Sequence, residues 1–248
     1  MCRNRPARGG RVFADNSVQH IPFNASMRRP WGNREKVLTF IYHSVYNISM
    51  DEKSGVKQTI LDKALQLFSA RGYEGVSVNE MAEAAGITKP TLYYYFGSKE
   101  GVFEAVCQPH YTLLNNLITE NAVYNPNPKS YFEDIFLTLT RVTAAYFSFA
   151  KENELFYRIV LANLSMPASS GVFEIVKKYH FTQFGVIERM FRGMAKAHGN
   201  LRGKGKTLTW SFIGTVNSYI SLYLGAGQEL HKKDVRELVH QFMHGIYA

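Results

Sequence analysis

The side chains best suited to bind another molecule lie within residues 88–96, which read TKPTLYYYF. At helical spacing Leu92 and Phe96 share one face, and the basic and other aromatic side chains lie on the opposite face. A lysine reaches a phosphate or a guanine edge, and tyrosines donate to phosphates and pack on thymine methyl groups. Helical geometry cannot bury three consecutive tyrosines together with Leu92 and Phe96. The segment therefore predicts a helix that reads the major groove of DNA.

Two short helices joined by a glycine-containing turn are predicted to position this face. Ser77 and Glu80 form an S-x-x-E capping box that opens the first helix, and Gly86 ends it. Thr88 caps the second helix, and Gly97 ends it. An amphipathic helix precedes both. This order is typical of a helix-turn-helix DNA-binding domain.

Residues spread through the segment 68–100 resemble the DNA-binding signature of the TetR/AcrR family of bacterial transcriptional regulators. The shared residues are Phe68, Gly72, Tyr73, Gly75, Ser77, Met81, Ala82, Ala85, Gly86, Ile87, Thr91, Leu92, Tyr93, Tyr94, Tyr95, Phe96, Ser98, Lys99 and Glu100. The resemblance implies an all-α protein, in which an N-terminal three-helix DNA-binding domain precedes a C-terminal helical ligand-binding and dimerisation domain. It places the helix-turn-helix at residues 77–96.

The resemblance also implies which side chains meet DNA. Phosphate contacts fall on Ser77 and Lys99, and Asn79 occupies a position where some members place a base-contacting side chain. The contacts of the second helix fall on Thr88, Lys89, Pro90, Thr91, Tyr93 and Tyr94.

The rest of the chain has helical patterns at residues 98–123, 129–150, 152–165, 169–198, 206–226 and 232–247, and no strand pattern. Pro109 lies inside the first of these and predicts either a hinge near residues 107–110 or a kink that only accommodates packing. Several polar side chains interrupt otherwise apolar helices and are candidates to bind a ligand, although each could equally be a surface or satisfied core group. They are Tyr111, Arg141, Tyr146, Arg158 and Asn163.

The last two helical patterns carry apolar faces at the end of the chain. Because an exposed apolar face is costly, we expect a homodimer formed through a four-helix bundle. The predicted interface residues are Trp210, Ile213, Asn217, Ile220, Leu224, Leu238 and Phe242.

Charge is distributed unevenly along the 248 residues. Residues 1–49 hold eight basic and two acidic side chains, whereas residues 51–106 hold six basic and eight acidic ones. Residues 1–36 have no helical or strand period, residues 37–48 are apolar but only 12 long, and Met50 precedes a clean amphipathic pattern. We therefore divide the chain into a disordered or non-native extension (1–49), a DNA-binding domain (50–106) and a helical body (107–248). The alternative for residues 1–49 is a basic arm that contacts DNA phosphates.

Composition limits the remaining function classes. Two cysteines are too few for a disulfide framework or a zinc site and favour a reducing compartment, so we expect a cytoplasmic protein. No apolar run is long enough to span a membrane. His240 and His244 have zinc-compatible spacing but no third ligand, and no catalytic motif is present, so we expect neither metal, cofactor nor enzyme activity. The resulting prediction is a homodimeric repressor that a small, mostly apolar ligand releases from a palindromic operator. The alternative is a ligand-independent architectural DNA-binding protein of the same fold.

Overall fold

The computed structural model describes residues 52–127 and 132–245, and these residues form helices joined by short turns. The helices are α1 (Glu52–Arg71), α2 (Val78–Ala84), α3 (Lys89–Phe96), α4 (Lys99–Asn121), α5 (Leu137–Glu152), α6 (Glu154–Asn163), α7 (Phe173–Ala197), α8 (Gly205–Ala226) and α9 (Lys232–His244). A π-helical turn (Phe132–Phe136) leads into α5, and a 3-10 turn (Gly199–Leu201) separates α7 from α8. The predicted all-α class is confirmed. The predicted extension over residues 1–49 lies outside the described residues.

The head of the molecule consists of α1 to α3 and the start of α4. Its core is built from aromatic rings, because Phe68 and Tyr73 each meet Phe103 of α4 edge-on, with ring centres 5.3 and 5.2 Å apart. Burying each such ring contributes roughly 1.5–3 kcal/mol. Gly86, between α2 and α3, has a φ of 66°. This left-handed conformation favours glycine and sets the sharp turn between the two helices.

The body is a helical bundle to which α4 belongs as well. In the head α4 packs against α1 and α3, and in the body it packs against α5 and α7. A second contact between head and body is formed by α1 and α6. α4 is continuous through Pro109, so a hinge at this point would bend a formed helix. The hinge stays a prediction.

The helices of the body differ from the predicted ranges mainly at their ends. Within the pattern at 129–150, regular α-helix starts only at Leu137, after the π-helical turn. Residues 128–131 and 246–248 lie outside the described part, and these include the ends of two predicted patterns. α7, α8 and α9 are held together by three rings, in which Phe212 lies 6.0 Å from Phe191 and 5.4 Å from Phe242 between centres.

Candidate nucleic-acid interface

The second helix of the helix-turn-helix, α3, presents an aromatic and basic face to solvent. Tyr94 is 77% exposed and Tyr93 is 41% exposed, whereas Leu92 is completely buried. Lys89 is exposed, and its ammonium lies 5.8 Å from the centre of the Tyr93 ring. This cation–π contact orients the lysine along the same face as the tyrosines. The face therefore combines a cation with two hydroxyl donors, as a surface that contacts a phosphate backbone and base edges requires.

The start of α3 is held by hydroxyl groups. The Thr88 side chain accepts a hydrogen bond from the Thr91 N–H at 3.4 Å, and the two threonine hydroxyls lie 2.8 Å apart. Pro90 occupies the first turn, where its missing N–H removes no helical hydrogen bond. Thr88 and Pro90 are exposed, and Thr91 is half-buried. The cap thus keeps these three residues at the end of α3 that carries Lys89.

The start of α2 is a complete capping box, as the sequence predicts. The Glu80 N–H donates to Ser77 Oγ at 3.2 Å, and the Ser77 N–H donates to Glu80 Oε2 at 2.8 Å. Arg71 also donates to Glu80 at 2.7 Å. The Ser77 N–H, followed by the Arg71 guanidinium, lowers the pKa of Glu80 to about 2. Ser77 and the neighbouring Asn79 are both exposed at this helix start.

The lysine that follows α3 is held on an aromatic ring. The Lys99 ammonium lies 4.0 Å from the centre of the Tyr73 ring, and the Tyr73 hydroxyl donates to Glu100 at 2.6 Å. Burial, and then the bond to Glu100, raise the pKa of Tyr73, so the phenol remains the donor. The Lys57 ammonium of α1 lies 5.9 Å from the ring of Phe96. Each of these ammonium groups is therefore oriented by packing on a ring. We expect DNA binding by the slightly acidic head to depend on such locally placed cations.

A groove of about 460 Å³ runs along α7 in the body, between the end of α6 and the start of α8. Its wall includes four large aromatic rings, and two of these, Phe184 and Trp210, contact each other with ring centres 5.5 Å apart. Phe181 and Trp210 are 66% and 70% exposed, which is unusual for such large apolar side chains. The remaining wall is formed by Asn163, Leu164, Met166, Phe173, Val176, Lys177, His180, Gly185, Glu188, Lys206 and Thr209. A groove of this size and lining is typical of a small-molecule site.

Three of the five predicted ligand residues lie inside the body. The hydroxyl of Tyr111 is hydrogen-bonded to Nε2 of His180 at 3.2 Å, and Asn163 lies beside the same phenol. Asn163 is 8% exposed, and its Nδ2 has no acceptor at hydrogen-bonding distance and angle among the described residues. Tyr146 is completely buried, and its hydroxyl also lacks a partner among them. Burial lowers the pKa of His180 to about 4, so this wall of the groove carries a neutral imidazole at pH 7.

The two predicted arginines lie elsewhere, on the surface. Arg141 donates to the carbonyl of Val123 at 2.6 Å, and Arg158 donates to the carbonyl of Leu224 at 2.7 Å. Both therefore cap backbone carbonyls near helix ends. Asn163 is the one predicted ligand residue that lines the groove, and the sequence analysis did not assign the other lining residues, His180 and Phe181 among them, to the ligand. The criterion that selected Asn163, a polar side chain within an apolar helix, would also have selected His180.

The predicted dimer residues need a correction, because most of them are already used inside the subunit. Ile213, Ile220, Leu224 and Leu238 are at most 7% exposed, and Asn217 accepts a hydrogen bond from the Tyr157 hydroxyl at 2.8 Å. Phe242 is half-buried, and only Trp210 is well exposed. The apolar face of α8 covers the core of its own subunit. The face of α8 that remains free is formed by Trp210, Ser211, Gly214, Ser218, Ser221, Leu222 and Gly225.

The last turns of α9 carry the two histidines with zinc-compatible spacing. The rings of His240 and His244 lie 4.6 Å apart between centres, and residues 52–127 and 132–245 contain no group of three potential metal ligands. No helix in these ranges has both the length and the apolar character that a membrane span requires.

The helix-turn-helix region matches a known family. The profile of "Bacterial regulatory proteins, tetR family" covers residues 60–106, from the middle of α1 into α4. The negative transcriptional regulator IcaR of the biofilm operon icaADBC in Staphylococcus aureus is 28% identical over 148 residues, which span 56% of this chain and 77% of IcaR. Residues that form the caps and the exposed face of α3 therefore lie within a domain that regulators of transcription share.

Solved structures share the fold of the head and body together. FadR of Bacillus subtilis, solved in complex with stearoyl-CoA, has a TM-score of 0.61 at 14% identity, covering 76% of this chain and 98% of FadR. AibR, solved with isovaleryl coenzyme A and operator DNA, has a TM-score of 0.56 at 20% identity, covering 73% of this chain and 94% of AibR. The family profile places the helix-turn-helix domain, residues 60–106, in the tetR family of bacterial regulatory proteins, and the described head and body have the fold of a solved TetR-like transcriptional regulator from Rhodococcus.

Proposed function

We propose that this chain is a homodimeric repressor that binds a near-palindromic operator and leaves it when a small, mostly apolar molecule occupies the body. The observation that carries the proposal is the face of α3, where Lys89, Tyr93 and Tyr94 are exposed together above a buried Leu92. A relative that is named a negative transcriptional regulator supports the sign of regulation.

The proposed DNA contacts are of two kinds, contacts to phosphates and contacts to bases. Ser77 and Lys99 bind phosphates, since Ser77 is exposed at the start of α2 and the lysine is oriented by Tyr73. The face of α3 enters the major groove, where its side chains reach base edges and thymine methyl groups. The residues assigned to this face and its margins are Asn79, Thr88, Lys89, Pro90, Thr91, Tyr93 and Tyr94.

The free face of α8 is the surface we assign to the partner subunit. It carries Gly214 and Ser218 one turn apart, and a Cβ atom added at Gly214 would meet nothing within 4 Å in its own subunit. Small residues at this spacing let a second helix approach closely, while Trp210 and Leu222 supply apolar area at either end. Two-fold symmetry then presents two copies of α3 to half-sites about one helical turn, roughly 34 Å, or a small multiple apart.

The groove along α7 is the site we assign to the ligand. Its aromatic wall favours an apolar body, and the unpartnered Nδ2 of Asn163 favours a hydrogen-bond acceptor such as a carbonyl or carboxylate oxygen. His180 is neutral at pH 7, and Glu188 of the wall is paired with Arg192 at 2.6 Å. Lys177 and Lys206 also line the wall, so its charges disfavour a cationic ligand. Complexes of two fold neighbours with acyl-CoA thioesters support an acyl compound. A formed groove also favours this function over a ligand-independent architectural protein.

A salt-titrated binding assay on two DNA fragments tests the regulator function. Wild-type protein is titrated onto the DNA upstream of its own gene and onto a scrambled duplex of equal length. We expect preference for the upstream fragment, and a loss of about tenfold or more for Lys89→Ala and Tyr94→Ala, because charged and bidentate contacts each contribute roughly 1–3 kcal/mol. Lys196→Ala, which removes an exposed lysine at the far end of α7, is the matched control. Equal effects of Lys89→Ala and Lys196→Ala would refute the assignment of α3 as the reading helix.

A further inference from the structure

The loop between α6 and α7, residues 164–172, contacts both the groove and the DNA-binding head. Leu164 and Met166 form part of the groove wall. Farther along the same loop, the Ser170 hydroxyl donates to Glu74 of the head at 2.9 Å, and Val172 is completely buried. An occupant of the groove therefore pushes on a segment whose other end is attached to the head.

The attachment lies directly over the hydrogen bond that fixes Tyr73. A Cβ atom at Gly171 would lie 3.5 Å from Glu100 Oε1 and 3.9 Å from the Tyr73 hydroxyl. The backbone of the loop thus covers the 2.6 Å bond from Tyr73 to Glu100. A displacement of the loop toward the head would therefore bring its backbone against Glu100 and the Tyr73 hydroxyl.

The ammonium group of Lys99 packs in turn on the ring of Tyr73. The ring is 7% exposed and packs edge-on against Phe103, while the Lys99 ammonium lies 4.0 Å from its centre. The position of the ammonium therefore depends on a ring whose hydroxyl end is held beneath the loop. Groove, loop, Tyr73 and Lys99 form one continuous series of contacts.

We infer that Tyr73 is a positioning residue for the phosphate contact of Lys99, and that the 164–172 loop transmits occupancy of the groove to this lysine. The inference rests on the proposed DNA and ligand sites. A groove occupant favours release only if it binds more tightly when the loop is displaced, and DNA bound through Lys99 then weakens that occupant to the same extent. This route bypasses the middle of α4, where Pro109 lies.

The structure offers a matched contact that does not belong to this route. Lys178 of α7 pairs with Glu104 of α4 at 2.6 Å and also joins body to head, but within the described residues it forms no hydrogen bond with the loop or with Tyr73. If signals between body and head instead pass through α4, loss of this ion pair should change DNA binding more than changes in the loop do. Lys178→Ala is therefore the control variant.

The test is the salt dependence of DNA affinity, because it counts phosphate contacts. The slope of log K against log salt is negative, and each lost contact reduces its magnitude by about 0.9, so a dimer that loses both Lys99 contacts has a slope about 1.8 less negative. We expect this change, with a fall in affinity of about three- to tenfold, for Tyr73→Leu, Gly171→Leu and Met166→Trp, the last of which fills the loop end of the groove. Tyr73→Phe retains the ring and should retain more of the slope than Tyr73→Leu. Lys178→Ala should leave the slope unchanged.

Combination with Lys99→Ala makes the test decisive. Once Lys99 is absent, the loop and Tyr73 variants should cause no further loss of slope. Additive losses, a fall in affinity without a change in slope, or an equal effect of Lys178→Ala would overturn the inference. Because the surface variant Gly171→Leu is measured alongside Tyr73→Leu, failure of the buried variant to fold does not decide the result. Both duplexes of the preceding assay are used, so absence of operator preference contradicts the regulator function, while the slopes still test the route.

Discussion

Two neighbouring side chains in the groove determine which ligand chemistry it favours. Asn163 has a donor without an acceptor among the described residues, and a donor left unsatisfied costs about 1–3 kcal/mol that an acceptor on the ligand recovers. His180, bonded to Tyr111, has its pKa lowered to about 4 by burial and so supplies no positive charge at pH 7. Selectivity at this site should therefore come from hydrogen-bond donation by Asn163 and from the wall lysines Lys177 and Lys206, together with the apolar side chains of the wall.

This residue-scale argument predicts that decanoate binds more tightly than decylamine, although both carry a ten-carbon chain. Trp210, in the groove wall, reports binding by its fluorescence once Trp31 is replaced by phenylalanine. We expect at least tenfold preference for decanoate, and about a tenfold loss of decanoate affinity in Asn163→Leu, since hydrogen bonds to charged groups contribute roughly 1.5–3 kcal/mol. Asn121→Leu removes an amide that donates to Leu117 outside the groove and should have no effect. Equal affinity for the two amphiphiles would show that Asn163 does not select the ligand.

At the scale of elements, the helix-turn-helix could be predicted from the sequence because its boundaries are set locally. The hydroxyl of Ser77 and the carboxylate of Glu80 are three residues apart, and their reciprocal bonds define where α2 begins whatever surrounds it. The start of α5 could not be predicted in the same way, since the π-helical turn before Leu137 has no distinct local pattern. Local capping hydrogen bonds can be predicted from a sequence, whereas irregular turns within long amphipathic patterns cannot.

Ser77, at the start of α2, has two proposed roles, which are to cap the helix and to bind a phosphate. Two substitutions should separate these roles. Ser77→Ala removes the cap and the hydroxyl, so we expect the free energy of unfolding to fall by about 1 kcal/mol and DNA affinity to fall several-fold. Ser77→Asp retains a good cap but places a negative charge at the proposed phosphate contact, so stability should stay near wild type while DNA affinity falls further than in Ser77→Ala. Urea unfolding measures the free energy of unfolding, and the salt-titrated DNA assay measures DNA affinity. Parallel losses in both assays for both variants would mean that Ser77 acts on DNA only through the helix.

At the scale of the whole molecule, the sequence could show that α8 is amphipathic but not which molecule its apolar face covers. Ile213, Ile220 and Leu224 were expected at a subunit interface, and the structure buries them against their own subunit. The groove could not be predicted from the sequence either, because Phe181 and Trp210 form a common wall only when α7 packs against α8. Periodicity identifies a buried face, and only tertiary packing assigns that face to the core, a partner or a ligand.

The free face of α8 gives the prediction that concerns the assembled protein. Gly214→Arg adds a long charged side chain where a Cβ atom meets nothing within 4 Å, so the subunit should fold with unchanged stability. In a dimer packed through this face the same side chain would be buried without a partner charge, which costs several kcal/mol and should raise the dimer dissociation constant by at least a hundredfold. Operator affinity should fall with it, because one head retains only one half-site. Gly199→Arg, at a second open position outside α8, makes the same change of charge and should remain dimeric in sedimentation equilibrium. A dimeric Gly214→Arg protein with wild-type operator affinity would place the subunit interface on another surface.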